Sequence, residues 1–485
     1  MTNASTLTFK RGSRAQRWWA AIFATLVLLG LLTACGGGGN NSVSSVPDPV
    51  IPPVNVDIKD ALIATKGITS VNEQASSIEG TRFFSFVLSQ PVDHNAPNGT
   101  QFSQRLTLLY RAKSAPMVLA TTGYAISGSP YQGEVSSLLK GNELQMEHRF
   151  FNSSTPTVKD WSKLDIWQAA NDEHRVVQAL KPLFSAKWVN TGASKGGMTA
   201  IFHRRFFPAD VDATIAYVAP ISFAASDPRY PAFEKTRGTP AIRAAIEEWQ
   251  QAMLDRRSEM RSLLEQDFAS KKASFKYLGL DKTLEFAILE APFTLWQYGN
   301  ANLAAQVPNK NAPAAELYRF LDSASFGVVK TWSDETLDYY QAYYYQTATQ
   351  LGYPLIADDY LRGLLYLGQD TGAAYPPYGV NAKYDGSAMR DIQNWVNDSA
   401  TRLMLIYGEN DPWTAGAFQL SSAASARDNH KYLVPNGNHG AKISQLPADQ
   451  KALALAKISS WIGVPISVAP TEKVTIGRKD LLQRH

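Results

Sequence analysis

Residues 187–207 read KWVNTGASKGGMTAIFHRRFF, and the rest of the chain is best understood from this stretch. Residues 188–191 are a short apolar run, Gly192-Ala193-Ser194-Lys195-Gly196 follows, and the next residues have helical spacing. A strand, a sharp turn and a helix form the context in which G-x-S-x-G makes a nucleophile elbow. The two glycines of the pentapeptide stand where a Cβ would collide with neighbouring backbone. Ser194 is therefore the candidate nucleophile, and a purely structural turn is the alternative.

The composition predicts a large folded chain with more than one part. The chain has 485 residues, of which 45% are hydrophobic and 19% are charged. This length can bury a large core and exceeds one minimal domain, so we expect a catalytic domain that carries an insertion. The formal net charge is only +4, and part of the excess comes from a basic N-terminal cluster. Binding to nucleic acid is therefore not expected.

The N-terminal segment has the features of a lipoprotein signal peptide, which we assign to residues 1–34. A basic cluster is followed by an apolar run at residues 18–32 and then by Leu32-Thr33-Ala34-Cys35. These are the parts of a secretory signal, and the apolar run is short for a membrane-spanning helix. The position of Cys35 after Leu-Thr-Ala resembles a bacterial lipobox, in which the cysteine is lipidated. The alternative is an ordinary signal peptide with an incidental cysteine.

The lipobox predicts an exported protein that is attached to the bacterial cell envelope through a lipid on Cys35. In a host with two membranes, we expect the outer membrane. Residues 35–56 are rich in Gly, Asn, Ser and Pro, which is typical of a flexible tether. Cys35 is the only cysteine, so no internal disulfide can form and the folded part must be held by its core.

Alternating strands and helices frame the candidate nucleophile. Strands are predicted at residues 83–88, 105–111, 117–121, 143–148, 214–219, 403–407 and 432–434. In α/β-hydrolases, one backbone N–H of the oxyanion hole comes from a loop that follows a strand before the nucleophile. In this chain, the corresponding loop is the one after residues 117–121. The other N–H comes from the residue after the nucleophile. Gly123 or Tyr124 is therefore the first candidate donor, and Lys195 is the second.

A helical block interrupts the sheet pattern between residues 239 and 379. Thr239 and Pro240 form an N-cap and first-turn pair, and helical periodicity then covers residues 240–264, 284–298 and 337–351. The last of these segments contains Tyr339, Tyr340, Tyr343, Tyr344 and Tyr345. A helical block between strands of an α/β sheet is typical of a cap over an active site. The tyrosines belong either to its core or to a ligand pocket.

An acid and a histidine follow the last two predicted strands. Asp411 comes just after residues 403–407, and His439 lies in the loop after the next strand. The order Ser, Asp, His is that of α/β-hydrolases. His439 would accept the proton of Ser194, and Asp411 would orient the imidazole and stabilise its charged form. Glu409 is the alternative acid.

The patterns together predict an α/β-hydrolase fold with an inserted helical cap. The hydrolase domain is assigned to residues 57–238 and 380–465, the cap to residues 239–379, and a C-terminal tail to residues 466–485. Neither H-E-x-x-H nor G-x-x-x-x-G-K-[ST] occurs in the sequence. We therefore expect no metal and no cofactor.

Several longer strings carry a family resemblance. They are IWQAAND from Ile166, TGASKGGMTAIFHRRFFPADVDATIAYVAP from Thr191, EAPFTLWQYG from Glu290, and the pair YGENDPW and NGNHGA. They resemble the secreted bacterial prolyl tri- and tetrapeptidyl aminopeptidases, which are serine peptidases of the α/β-hydrolase class, over residues 60–465. QPVDH and EHRFF are more distantly similar to the lysosomal prolyl carboxypeptidase group. The resemblance implies Ser194, Asp411 and His439 as nucleophile, acid and base.

The resemblance also implies a substrate, namely a short peptide with a free amino terminus that is cut after proline. Burying the substrate ammonium without a carboxylate would be costly, so Glu147 and Glu290 are candidate anchors, with structural ion pairs as the alternative. His148 and Arg149 follow a predicted strand and either line the site or form a buried ion-pair network. An esterase remains the alternative activity, because acyl transfer to water uses the same groups on esters and amides.

Overall fold

One mixed β-sheet runs through the part of the chain that the computed structural model describes, residues 56–366, 374–375 and 377–466. Its nine strands are β1 (Ile68–Gln74), β2 (Arg82–Pro91), β3 (Gln101–Tyr110), β4 (Met117–Thr121), β5 (Asn142–Met146), β6 (Trp188–Ala193), β7 (Ala213–Tyr217), β8 (Leu403–Gly408) and β9 (His430–Val434). The predicted signal peptide, Cys35 and nearly all of the predicted tether and tail lie outside the described residues.

The strand order brings the candidate site residues to one side of the sheet, where the parallel strands have their carboxyl-terminal ends. The order is β1-β2-β3-β5-β4-β6-β7-β8-β9. The pairs among β1, β2, β3 and β5 are antiparallel, and every pair from β5 to β9 is parallel. Loops that follow parallel strands leave the sheet at the same edge. The loops after β4, β6, β8 and β9 therefore converge there.

Fifteen α-helices accompany the sheet within the described residues. Four precede β7, namely α1 (Ile58–Ala64), α2 (Glu134–Leu139), α3 (Ile166–Leu180) and α4 (Lys195–Phe206). Eight follow β7, namely α5 (Arg229–Glu234), α6 (Pro240–Asp255), α7 (Arg257–Lys271), α8 (Leu280–Tyr298), α9 (Ala301–Ala304), α10 (Ala314–Ala324), α11 (Val328–Trp332) and α12 (Asp334–Gln346). The last three are α13 (Ser387–Asp398), α14 (Ser422–Ala426) and α15 (Ala448–Ile462).

Apolar layers cover both faces of the sheet. Successive side chains of a strand point to opposite faces, so Trp188 packs in one layer with Val176 and Leu180 of α3, while Val189 packs in the other with Ile458 of α15. A strand that is covered on both faces is apolar throughout, which explains why every residue of β8 is buried. The predicted α/β architecture is confirmed.

The helices from α5 to α12 have a core of their own. Its members include Trp249 of α6, Phe268 of α7, Leu284 of α8 and Trp332 of α11. Helix α12 runs into a π-helical turn at Thr347–Leu351. This insertion between β7 and α13 is the helical cap that the sequence predicts, although its boundaries stay a prediction.

The first long cap helix differs from the prediction. The sequence predicts one helix over residues 240–264, whereas the structure has α6 and α7 separated at Arg256, with φ −99° and ψ 31°. The break turns the chain so that Met253 before it and Met260 after it are both fully buried. A straight amphipathic helix keeps its apolar stripe on one face, and the turn lets both parts pack on α8.

Candidate active site

Ser194 lies at a strained turn between β6 and α4. β6 ends at Ala193 and α4 begins at Lys195. The backbone of Ser194 has φ 54° and ψ −126°, a conformation that costs energy for a residue with a side chain. Its N–H donates to the carbonyl oxygen of Tyr217 at 2.9 Å, which fastens the turn to β7. The turn has the form of a nucleophile elbow.

Close backbone approach makes glycine necessary on both sides of this turn. A Cβ on Gly192 would lie 2.3 Å from the carbonyl carbon of Gly196. A Cβ on Gly196 would lie 2.2 Å from the carbonyl oxygen of Thr121 at the end of β4. Since real Cβ atoms do not come so close to backbone, only glycine allows β4, β6 and α4 to meet here.

The candidate acid and base form a short hydrogen bond. Asp411 follows β8 and caps a 3₁₀ turn at Pro412–Gly416, where its Oδ1 accepts the N–H of Trp413 at 3.1 Å. Its Oδ2 lies 2.6 Å from Nδ1 of His439. The side chains of Asp411 and His439 are 0% and 1% exposed. A buried carboxylate at Nδ1 keeps the proton on that nitrogen and leaves Nε2 to act as the base.

The alternative acid, Glu409, occupies a different place. Its Oε2 accepts the backbone N–H of Asn436 at 2.8 Å. Asn436 belongs to the turn that leads from β9 toward His439, with φ 54°. Glu409 therefore holds the turn of the histidine loop, whereas Asp411 meets the imidazole itself.

The cap also holds the histidine loop. The N–H of His439 donates to the carbonyl oxygen of Gln297 in α8 at 2.9 Å. The side-chain amide of Asn438 donates to the carbonyl oxygens of Tyr298 and Gly299 at 3.1 and 3.0 Å. These are carbonyls at the C-terminal end of a helix, which have no partners within the helix. The end of α8 thereby fixes the position of His439.

Ser194 opens into a small cavity between the sheet and the cap. Its other lining residues are Tyr124, Lys195, Met198, Pro220, Ser222, Tyr343, Leu351, Gly352 and Trp413. The indole of Trp413 also lies beside the imidazole of His439, with ring centroids 6.2 Å apart. Trp413 therefore connects the surroundings of Ser194 with the Asp411–His439 pair. The sequence interpretation did not single out Trp413 or Met198, although Trp413 is only two positions from Asp411.

The candidate oxyanion donors lie against each other. Gly123 has φ 74°, and a Cβ there would lie 2.8 Å from the carbonyl carbon of Lys195. The loop after β4 therefore packs directly on the first residue of α4. In this loop, the N–H of Tyr124 donates to Oγ1 of Thr122 at 3.0 Å.

Glu147 and Arg149 lie in internal hydrogen-bond networks and are absent from the lining of the Ser194 cavity. Glu147 is fully buried and accepts hydrogen bonds from Oγ of Ser153 at 3.2 Å and Oγ of Ser154 at 2.9 Å. Arg149 is also fully buried, and its Nε and Nη2 donate to the two carboxylate oxygens of Asp172, each at 2.7 Å. The contact of Arg149 is a buried ion pair, whereas these bonds of Glu147 are to neutral hydroxyl groups.

Glu290 lies in α8, among the aromatic residues of the cap. Its Oε1 accepts from the hydroxyls of Tyr353 and Tyr375 at 3.2 and 3.3 Å. Burial raises the pKa of the Tyr343 hydroxyl, and Tyr230 and Glu290 add to the increase. Tyr343 lines the cavity beside Ser194, so the charge of Glu290 acts on a residue of that cavity.

The described residues contain neither a metal-binding cluster nor a membrane-spanning helix. No group of three or more His, Cys, Asp or Glu side chains in residues 56–366, 374–375 and 377–466 is arranged to hold a metal ion. Over the same part of the chain, no helix combines the length and apolar character needed to cross a membrane.

The sequence comparisons agree with one another. The PS-10 peptidase S37 family matches residues 51–477. The prolyl tri/tetrapeptidyl aminopeptidase of Streptomyces mobaraensis is 37% identical over 457 residues, which cover 93% of this chain and 94% of the relative.

Solved structures show only distant similarity. The proline iminopeptidase of Mycobacterium smegmatis has a TM-score of 0.37 and 12% identity, covering 77% of this chain and 98% of the other. Epoxide hydrolase A of Mycobacterium thermoresistibile has a TM-score of 0.30 and 13% identity, covering 82% of this chain and 100% of the other.

The sheet, the elbow and the sequence matches define the class first: the protein is a serine peptidase with an α/β-hydrolase fold. The matched residues then give the particular family. The chain belongs to the PS-10 peptidase S37 family. The resemblance stated from the sequence strings is thereby confirmed.

Proposed function

We propose that the protein releases short peptides from the amino terminus of its substrates by cleaving after proline, through a Ser194–Asp411–His439 triad and an acyl-enzyme. The observation that carries this proposal is the 2.6 Å bond between His439 and Asp411 at the sheet edge where Ser194 stands on its elbow. The name of the Streptomyces mobaraensis relative supports the substrate class.

The chemistry runs in two stages. Nε2 of His439 takes the proton of Ser194 as Oγ attacks the carbonyl carbon of proline, and Asp411 stabilises the resulting imidazolium. The N–H of Lys195, with that of Gly123 or Tyr124, stabilises the oxyanion. When the C–N bond breaks, the imidazolium protonates the leaving amine and an ester on Ser194 remains. Water then gives a proton to His439 and hydrolyses this ester, which releases the peptide and restores Ser194.

The aromatic walls of the cavity suit a proline ring. Trp413 comes from the sheet domain, Tyr343 from the cap and Tyr124 from the loop after β4. Proline is compact and apolar and has no N–H of its own once it is within a peptide. Flat aromatic rings contact such a ring over a large area without requiring a hydrogen bond.

Glu290 is our choice for the anchor of the substrate ammonium. Glu147 and Glu290 are the two carboxylates considered for this role from the sequence. Glu147 is fully buried and accepts several hydrogen bonds within its own loop. Glu290 is only half-buried and accepts the hydroxyl of Tyr353 within the cap. A carboxylate in such surroundings would stabilise the charged end of the substrate.

The decisive experiment uses two otherwise identical proline-containing tetrapeptide anilides, one with a free amino terminus and one acetylated. We expect kcat/KM to be at least about 100-fold higher for the free peptide, because acetylation removes the charge that the anchor binds. Glu290→Gln should reduce this preference by raising KM for the free peptide alone. Glu147→Gln is the matched variant and should leave the preference intact.

Other outcomes would contradict the proposal. Equal kcat/KM for the two peptides would exclude an aminopeptidase and leave a proline-directed endopeptidase. Hydrolysis of simple acyl esters with no cleavage of peptides would favour the esterase alternative. An active Ser194→Ala variant would remove the proposed nucleophile.

For the location in the cell, we propose that residues 1–34 are removed and that Cys35 carries a lipid. Residues 35–56 would then tether the enzyme to the cell envelope. In a host with two membranes, we propose that the anchor lies in the outer membrane. The sequence Leu-Thr-Ala-Cys after an apolar run supports this proposal. Cys35→Ala should release the protein into the soluble fraction or leave it unprocessed, as measured by fractionation and intact mass. A variant that stays membrane-bound and normally cleaved would contradict the lipid anchor.

A further inference from the structure

The side chain of Lys195 is buried next to the nucleophile. Lys195 follows Ser194 directly, and only 2% of its surface is exposed. Its Nζ lies 5.2 Å from the ring centroid of Tyr124 and 5.4 Å from that of Phe151. A lysine is almost never buried to this extent without a specific partner. The proposed mechanism uses only the backbone N–H of this residue, so the buried amine needs its own explanation.

The partner of the amine is the loop that carries the other oxyanion donor. Nζ of Lys195 donates to the carbonyl oxygen of Gly123. The carbonyl of Gly123 and the N–H of Tyr124 belong to one planar peptide unit. A bond that holds the oxygen therefore also sets the direction of the N–H. Gly123 has φ 74°, and glycine adopts both signs of φ readily, so contacts must hold this peptide unit. The amine of Lys195 binds its oxygen, and Oγ1 of Thr122 accepts its N–H at 3.0 Å.

We propose that the side chain of Lys195 is a positioning residue that fixes the Gly123–Tyr124 peptide and thereby keeps the oxyanion hole in its active geometry. This inference rests on the proposed function, since it presumes that the oxyanion forms between this loop and the start of α4. One residue then supplies both a backbone donor to the oxyanion and a side chain that, together with Thr122, holds the loop of the second donor. The two parts of the hole cannot move independently.

The surroundings of the amine agree with this role. Burial lowers the pKa of the Lys195 amine well below its usual range, and Glu173 acts in the opposite direction. An amine donates an N–H in either protonation state, so the bond to the Gly123 carbonyl does not require a charge. Burial also excludes water, which would otherwise compete for the carbonyl oxygen.

Lys195→Met tests the proposal, because methionine has a similar length and keeps the apolar contacts with Tyr124 and Phe151 but cannot donate. We expect kcat on a free-amino prolyl peptide to fall about 100-fold, as when one oxyanion donor is lost. KM should stay within about twofold, because the oxyanion exists only in the transition state. Binding of a prolyl boronate, whose tetrahedral adduct has an oxygen in the same position, should weaken by the same factor as kcat/KM.

Two further variants separate positioning from a general loss of structure. Lys195→Gln keeps a donor on a shorter chain and should recover part of the lost kcat. Lys181→Met is the matched control, because Nζ of Lys181 also donates to a backbone carbonyl, that of Asp210 at 2.8 Å. It should leave kcat unchanged. All rates are expressed per active site titrated with a fluorophosphonate, so that a misfolded fraction does not enter the comparison.

The outcomes distinguish this inference from the proposed function. A Lys195→Met variant with wild-type kcat per titrated site would overturn the inference. The proposed triad would still stand if Ser194→Ala is inactive and the wild type is labelled by the fluorophosphonate. Equal losses in Lys195→Met and Lys195→Gln with unchanged boronate affinity would also overturn it. If the wild type is not labelled and Ser194→Ala keeps its activity, the proposed function itself fails.

Discussion

At the scale of single residues, the site depends on backbone geometry that most side chains do not tolerate. Ser194 has a positive φ, and Gly192 and Gly196 leave no room for a Cβ. The energy stored in such a turn is repaid by the packing of β4, β6 and α4 around it. Strained positions of this kind concentrate at functional sites, where they hold a reactive group outside the regular elements.

The proposed acid can be tested at this scale. Asp411→Asn should lower kcat by about 10⁴-fold, because an amide stabilises the wrong tautomer of His439 and cannot balance the imidazolium charge. Stopped-assay kinetics on the free-amino prolyl peptide would measure this loss.

Glu409→Gln is the matched variant, since it lies two positions away and removes a charge of the same sign. Because Oε2 of Glu409 binds the N–H of Asn436 and not His439, we expect kcat to stay within about threefold of wild type. Full activity in Asp411→Asn together with loss in Glu409→Gln would assign the acid to Glu409.

At the scale of secondary-structure elements, buried polar contacts fasten the site to its supports. The end of α8 holds the loop of His439, as described above. Arg149 after β5 pairs with Asp172 of α3, and His94 after β2 also contacts Asp172, with 2.7 Å between Nε2 and Oδ1. Long-range polar bonds of this kind fix how the elements sit relative to one another.

Asp172→Asn should destabilise the protein by about 3–5 kcal/mol, because it leaves the buried guanidinium of Arg149 without its counter-charge. Chemical denaturation would measure the change. Asp391→Asn is the matched control, since Asp391 forms a similar two-bond pair with Arg205, at 3.0 Å each, on the surface. It should cost less than about 1 kcal/mol.

The same experiment decides the role of Arg149. If Arg149 is structural, Asp172→Asn should leave KM for the peptide unchanged at a temperature where the variant is folded. A raised KM without loss of stability would place Arg149 in substrate binding instead.

At the scale of the whole molecule, buried titratable groups link stability to pH. His148 and His203 are both buried, and burial is the largest of the causes that lower their pKa below the ordinary value of 6.5. At a pH between the pKa of the histidine in the folded state and its pKa in the unfolded state, the unfolded chain binds a proton that the folded chain does not. Stability is therefore lost as the pH falls below the ordinary value.

We expect the unfolding free energy to decrease below about pH 6.5, with a slope of up to about 1.4 kcal/mol per pH unit for each of these histidines. His148→Asn should reduce this slope by the contribution of one histidine, because asparagine does not titrate. The amide can still donate to the carbonyl of Arg149, as Nδ1 does at 2.8 Å, so the local structure should be kept. Denaturant unfolding from pH 8 to pH 5 would measure both. An unchanged slope in the variant would show that His148 does not titrate in this way.

The sequence by itself determined the features that depend on neighbouring residues. The elbow at Ser194 follows from apolar residues, two glycines and helical spacing within one stretch. The order of the loops with Ser194, Asp411 and His439 follows from strand and turn patterns, and the family follows from long strings. Strand β1 was missed, because it lies at the sheet edge and Ile68 is its only buried residue, so its pattern is weak.

Only the tertiary structure decided which distant side chains meet. The sequence left Glu147 and Arg149 open between substrate binding and structure, and their hydrogen-bond partners are visible only when β5, α3 and their loops are packed together. Trp413 and Tyr343 come from segments about 70 residues apart, yet they line one cavity with Ser194. Local sterics are encoded in adjacent residues, whereas such contacts depend on how β4, β6, β8 and α12 pack, which no single segment specifies.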